Sequence, residues 1–368
     1  MLEREFLHNH SEFIDLIRIV GDKMGIDPAL VEKDYWIMHC LYGLQTMGFR
    51  FELKGGTSLS KGLGLIHRFS EDIDIRIEPP ANLDVKTGSN HDKVAHIQSR
   101  KDFYDWVAGA IKIDGIENVI RDTAFDDEKY RSGGIRLNYR STTNQVEGLK
   151  DGILLELGFD DITPNFPRTI SSWAYDFAKD EVEIIDNRAV DVACYHAGFT
   201  LVEKLQAIST KFRKQQEDGA MPKNFMRHYY DVYCLLQDKD VLDFIGTDAY
   251  HDHKAKRFPK ADNQNIAENE AFILSDEATF KMYEAAYQAT SALYYKEQPT
   301  LRDIINAIQS SRITLMLWPG TSVRLQSGIR PADLVAITQV HQGQPKTPSA
   351  PPETPPEWQG WSTAYNRP

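Results

Sequence analysis

Residues 51–77 read Phe51-Glu-Leu-Lys54, Gly55-Gly-Thr-Ser58, Leu59-Ser-Lys61, Gly62-Leu-Gly-Leu-Ile-His67, Arg68-Phe-Ser-Glu71 and Asp72-Ile-Asp-Ile-Arg-Ile77. Phe51 and Leu53 alternate with polar residues, as on a half-buried strand. Gly55 and Gly56 lack a Cβ, so backbone there can approach a ligand closely. Thr57 and Ser58 are expected to cap a short helix, whose N-terminal N–H groups would suit a phosphate. A second strand follows, with Ile73, Ile75 and Ile77 on one face and Asp72, Asp74 and Arg76 on the other. Two carboxylates at i and i+2 on one face repel each other unless a cation sits between them. Hard oxygen ligands this close suit Mg²⁺ held jointly with a substrate phosphate. The plainer alternative is a surface hairpin with a solvated acidic face.

This stretch resembles the nucleotidyltransferase signature, a Gly-Gly or Gly-Ser turn followed by Asp-x-Asp on the next strand. More closely, Lys54-Gly-Gly-Thr-Ser58 with Arg68-Phe-Ser-Glu-Asp-Ile-Asp74 resembles the AbiEii/AbiGii toxin family within the polymerase-β-like superfamily. The fifteen residues between Gly56 and Asp72 are slightly more than the generic pattern has, and usual in that family.

The chain has 368 residues, enough for two domains, with 41% hydrophobic and 26% charged residues, ordinary for a soluble globular protein. The charged start and the lack of a long apolar run point to a cytoplasmic protein with no membrane partner. Cys40, Cys194 and Cys234 are scattered, which argues for core packing rather than zinc or disulfides. A net charge of −12 disfavours broad coating of nucleic acid but allows a local basic patch. Two candidates are Lys211, Arg213 and Lys214, and the run His251, His253, Lys254, Lys256, Arg257 and Lys260. Solvated surface explains either equally well. His251-x-His253 lacks a third ligand nearby and reads as loop.

Helices are expected at 11–24, capped by Ser11, and from Asp27-Pro28 to about Gln45. On physics alone the Glu32-Lys33-Asp34 charges of the second helix belong in water. Residues 79–95 read as loop, 96–113 as helix, and 134–140 and 152–159 as strands joined by a turn through Thr143, Asn144 and Gln145. Glu156 stands in an otherwise apolar strand. From about 190 the pattern turns helical, through Leu201, Leu205 and Ile208. Residues 238–275 are mixed and polar, helices follow at 276–296 and 300–317, and the proline-rich end reads as a disordered tail.

The fold class expected is α/β (α+β): an N-terminal nucleotidyltransferase domain (1–189) with a small mixed sheet and flanking helices, a helical domain (190–320) and a tail (321–368). Two later segments also resemble the family, Glu203-Lys-Leu-x-Ala207 and Arg227-His-Tyr-Tyr-Asp231, and there the lysine and the aspartate belong to the active site. A salt bridge between helices is the structural alternative. Glu32-Lys33-Asp34-Tyr35-Trp36 resembles a further family stretch, which implies a supporting role for Lys33 or Asp34. The superfamily commonly brings a third carboxylate from a later strand, which implies Glu156, with Asp160 and Asp161 as substitutes.

The resemblance implies Asp72, Asp74 and Glu156 as Mg²⁺ ligands and Asp72, Asp74, Lys204 and Asp231 as catalytic residues. Gly55, Gly56, Thr57, Ser58, Lys61, Arg68 and Ser70 would bind the NTP. It further implies a toxin of a toxin–antitoxin or phage-defence system, an antitoxin partner, and transfer of NMP to RNA, at the 3′ end of tRNA. Transfer to a protein hydroxyl, a non-catalytic nucleotide-binding module and a structural component of a defence complex are the alternatives.

Overall fold

The structure is a computed structural model and describes residues 4–144 and 149–311. Gln145, the end of the helix expected to reach 317, and the proline-rich stretch lie outside them.

A seven-stranded mixed sheet carries the chain's first half. In chain order its strands are β1 (Arg50–Lys54), β2 (Asp72–Glu78), β3 (Ile116–Asp122), β4 (Ser132–Tyr139), β5 (Ile153–Gly158), β6 (Asn165–Ile170) and β7 (Ala189–Tyr195). Their spatial order is β3-β4-β5-β2-β1-β7-β6. β2 is central, antiparallel to β1 and parallel to β5. β7 corrects the expectation of helix from residue 190: it pairs parallel to β1. Val192 and Cys194 are buried with the half-exposed Ala193 between them, an alternation that an alanine-based helical reading overlooks.

Ile73, Ile75 and Ile77 are almost fully buried. They pack into a core with α1 (Phe13–Met24) and α2 (Pro28–Thr46). Asp27 caps α2 by accepting from the Ala29 N–H at 2.8 Å, and Pro28 takes the first turn, as expected. Ser11 does not cap α1, which starts at Phe13 with Glu12 before it. Helix α3 (Gly55–Thr57) and a π turn (Ser58–Gly62) link β1 to the chain leading into β2.

Further helices are α4 (Val94–Ala110), α5 (Trp173–Ala178), α6 (Ala197–Asp218), α7 (Arg227–Leu235), α8 (Lys239–Phe244), α9 (Asp248–Arg257), α10 (Glu277–Gln288) and α11 (Leu301–Ser310). A second core joins residues of α6, α7, α8, α9, α10 and α11 with Leu59 and Ile66. The chain between the two motif halves is therefore anchored in that second core.

Two local expectations fail for one reason, burial by tertiary contacts. Residues 248–257 are helix rather than loop, and His251, His253 and Lys254 are buried in it. Glu32, Lys33 and Asp34 are buried at 0–1% exposure rather than in water, because each meets a partner from another segment.

Candidate active site

Lys54 of β1, Asp74 of β2 and Glu156 of β5 form one row across three adjacent strands. Asp72 lies one pleat away on the same face, beside Leu154. Three carboxylates thus share one face of the sheet. Burial, then repulsion by Asp74 and Asp72, pushes the Glu156 carboxyl up to about 7. Burial also raises Asp74, which Lys54 partly offsets and Asp72 aggravates.

The glycine turn presses directly on this row. Gly55 has φ +72°, and a Cβ on it would lie 2.0 Å from Asp74 Oδ2. A Cβ on Gly56 would lie 2.4 Å from Ser70 Oγ. Both glycines are needed to pack the turn onto β2 and its approach, whether or not a ligand also comes close. Thr57 and Ser58 are not helix caps. The helix begins two residues earlier, and Thr57 Oγ1 donates to the Asp72 carbonyl at 2.5 Å. Ser58 is buried beside Cys194.

The run 68–72 sends alternate side chains to opposite partners. Arg68 clamps Asp231 of α7 with two bonds of 2.7 Å, from Nε and from Nη2. Lys204 of α6 meets the same carboxylate at 3.0 Å. Asp231 is fully buried. Burial alone would raise its carboxyl, but Arg68 and then Lys204 hold it well below the usual range. Phe69 enters the sheet core. Glu71, also buried, accepts from the Lys150 N–H at 3.0 Å and lies 3.5 Å from the Lys33 ammonium and 3.7 Å from Arg227. Asp72 Oδ2 meets the Lys150 ammonium at 2.7 Å, and Oδ1 is buried without a partner.

The two halves of the chain face each other here. Lys204 is close enough to Asp74, and Arg227 to Asp72, for each to act on the other's charge. The sequence-derived residues Gly55, Gly56, Thr57, Ser70, Asp72, Asp74, Glu156, Lys204, Arg68 and Asp231 therefore gather in one place. Lys61 is turned to α2, where Asp34 binds it at 2.9 Å, and Asp34 also accepts from the Trp173 N–H at 2.8 Å. Asp160 is bound to Arg257 at 3.0 Å, and Asp161 to Thr163 Oγ1 at 2.8 Å.

Sequence reasoning missed Lys150, Glu71 and Arg227. Glu71 and Arg227 lay inside quoted motifs but were given no role, and Lys150 lies in a polar stretch with no local pattern. The resemblance implies a supporting role for Lys33 or Asp34, but not the contacts by which α2 braces the site. Glu32 accepts from the N–H and hydroxyl groups of Thr142 and Thr143 at 2.7–3.2 Å, and Lys33 donates to the Lys150 carbonyl.

Among the described residues no three His, Cys, Asp or Glu side chains form a ready metal cage. The Asp72–Asp74 pair nevertheless fits a hard divalent cation, which needs only one or two carboxylates when phosphate oxygens complete its shell. The orphaned Asp72 Oδ1 and the raised carboxyls of Asp74 and Glu156 are what such a cation would relieve.

A family model described as "Nucleotidyl transferase AbiEii toxin, Type IV TA system" matches residues 40–309. No curated protein matches the chain.

Proposed function

The chain belongs to the AbiEii nucleotidyl transferase toxin family of type IV toxin–antitoxin systems, and from that premise we propose that it moves NMP from an NTP to an RNA hydroxyl, at the 3′ end of tRNA. The observation that carries this reading is the meeting of the Asp72–Asp74 pair with Lys204, itself fixed by Asp231.

In the reaction, the acceptor oxygen bonds to the α-phosphorus and the bond to the β-phosphate oxygen breaks. The electron pair leaves with pyrophosphate, and the hydroxyl proton passes to water. Asp72 and Asp74, with Glu156 beside them, would hold Mg²⁺, which when bound supplies charge neutralisation and polarises phosphoryl oxygen. Gly55, Gly56, Thr57, Ser58 and Ser70 place the nucleotide. Lys204 neutralises phosphate charge. Arg68 acts on Lys204 through Asp231, and Lys61 fixes the glycine turn through Asp34. RNA is favoured as acceptor by the cations beside the acidic row, Lys54 and Lys150, on a chain of net charge −12. The proposal includes an antitoxin partner, a role in phage defence and a cytoplasmic setting, where NTP and tRNA are found. Among the described residues no helix is long and apolar enough to cross a membrane.

The test is incubation with each labelled NTP, Mg²⁺ and total RNA. Label at a tRNA 3′ end is expected. Label in protein instead would move the acceptor to a protein hydroxyl, and no transfer of any nucleotide would leave only a binding module.

A further inference from the structure

One group of cations beside the site lacks its counter-ions. Lys211 lies on α6 two turns beyond Lys204, on the same face. Its ammonium donates to His228 Nε2 at 3.0 Å and to the Lys223 carbonyl at 3.3 Å. Both acceptors are neutral: burial, then Lys204 and Lys211, keep His228 uncharged. No carboxylate among the described residues pairs with Lys211. Burial, then Lys204 and Arg227, pull its ammonium down to about 8.

Arg227, at the start of α7, is no better served. Among the described residues its one ion pair is with Glu71 at 3.7 Å, a carboxylate already engaged by Lys33 and the Lys150 N–H. Its Nε is buried with no hydrogen-bond partner. Among the described residues the direct ion pairs of Lys33, Arg68, Lys204 and Arg227 go to Glu71 and Asp231 alone, and Lys211 has none; Asp72 and Asp74 act on this group without pairing with it. Crowding like charges out of water is unfavourable unless an anion joins them. Lys211 has no carboxylate and Arg227 only a shared one, and an anion of several charges such as a polyphosphate would serve both. The group also adjoins the acidic pair, since Lys204 acts on Asp74 and Arg227 on Asp72.

We propose that Lys211 and Arg227, together with Lys204, form the pocket for the β- and γ-phosphates of the NTP, which leave as pyrophosphate. This rests on the nucleotidyl-transfer reading and adds the residues that receive the leaving group. Asp72 and Asp74 then attend to the α-phosphate, and Lys211 and Arg227 to the phosphates beyond it.

The experiment is calorimetric titration of the full chain, with Mg²⁺, against inorganic pyrophosphate and against NMP. Lys211→Gln and Arg227→Gln should each weaken pyrophosphate binding by about tenfold or more, the loss of one or two charge-assisted hydrogen bonds. NMP binding should stay within about twofold, since NMP lacks those phosphates. Arg227→Lys should recover part of the loss. Thermal melts check folding; if Arg227→Gln does not fold, Lys211→Gln decides, because its removal leaves no carboxylate unpaired. Pyrophosphate binding unchanged in Lys211→Gln overturns the pocket, as does an equal loss of NMP binding. So does normal pyrophosphate binding with weakened RNA binding, which would give these cations to the acceptor. Transfer is measured separately: a wild-type protein that transfers while Lys211→Gln binds pyrophosphate normally keeps the function and loses the pocket. One that transfers nothing, yet loses pyrophosphate binding in Lys211→Gln, keeps the pocket and loses the function.

Discussion

Two groups of carboxylate meet in this site, and their charges are settled in opposite ways. Asp231 is enclosed by protein, and Arg68 and Lys204 hold it ionised. Asp74 and Glu156 sit beside further carboxylates, and burial and repulsion push both towards the protonated form. The first group is complete within the chain and serves as a fixed post for Lys204. The second is not, and on the proposed reading a cation from outside completes it. The same logic in reverse applies to Lys211 and Arg227. On the proposed reading, charge matched inside the protein is scaffolding and unmatched charge is a place for a ligand.

Removing one carboxylate from each group should therefore have opposite effects on stability. Asp231→Ala leaves Arg68, 4% exposed, without its counter-ion, and should destabilise the protein by about 3–5 kcal/mol. Transfer should fall with it. Asp74→Asn removes a charge that burial already disfavours. Its melting temperature should equal or exceed that of wild type, while transfer falls by about a hundredfold or more. Thermal melts and the labelled-NTP assay on the two variants decide this. An Asp74→Asn protein that melts much earlier, beside an Asp231→Ala protein that melts normally, would reverse the comparison.

The glycine turn gives a smaller effect that ties the acidic row to its support. Gly55→Ala must hold φ +72° and put a methyl 2.0 Å from Asp74 Oδ2. The backbone strain is about 1–2 kcal/mol, and the clash with the carboxylate adds to it. Combining Gly55→Ala with Asp74→Ala removes the clash and keeps the strain. The double variant should lose less stability than the sum of the single ones, read from denaturant midpoints. Simple additivity would show that the turn does not rest on Asp74.

Much of this was legible in residues 51–77, because period-two alternation and a Gly-Gly turn are local signals. Glu156 was legible as one acid in an apolar strand and through the superfamily resemblance, but the pairing of β2 with β5 that sets it beside Asp74 was not. The link between Lys204 and Asp231 was legible only through family resemblance, since the two lie on different helices. What escaped the sequence is charge whose meaning is tertiary. Glu32, Lys33 and Asp34 look like a solvated helix face until Thr142, Lys150 and Lys61 are brought to them. Residues 248–257 look like a loop until His251, His253 and Lys254 are seen buried. Nothing near Lys150 in the sequence announces that it meets Asp72.

The smallest predicted effect is in the pH dependence of the metal-free protein, and it isolates the unmatched group. Glu156 has a folded pKa of about 7 against an ordinary 4.5. Between these values the folded state keeps a proton that the unfolded state has released. Stability contributed by this group is therefore lost as pH rises from about 4.5 through 7. Asp74, also raised, acts in the same direction. The whole-protein profile will not show this cleanly. His39, lowered to about 4 by burial, and His228 stay neutral in the fold and make stability rise with pH below 6.5. Asp231 acts at still lower pH, where protonation removes the stability that its depressed pKa supplies. The informative quantity is the difference between Glu156→Gln and wild type, in which the histidines and Asp231 cancel. At pH 5 the wild-type carboxyl is largely protonated and resembles the amide, so the difference should be small. At pH 8 the wild type must hold a charge among carboxylates, and Glu156→Gln should be more stable by roughly 1–3 kcal/mol. Adding Mg²⁺ at pH 8 should shrink that gap, because a cation stabilises the ionised wild-type group and gains little from the amide. A gap that is equal at both pH values would mean that Glu156 is ionised and matched, like Asp231, and that the acidic row is already complete without a cation.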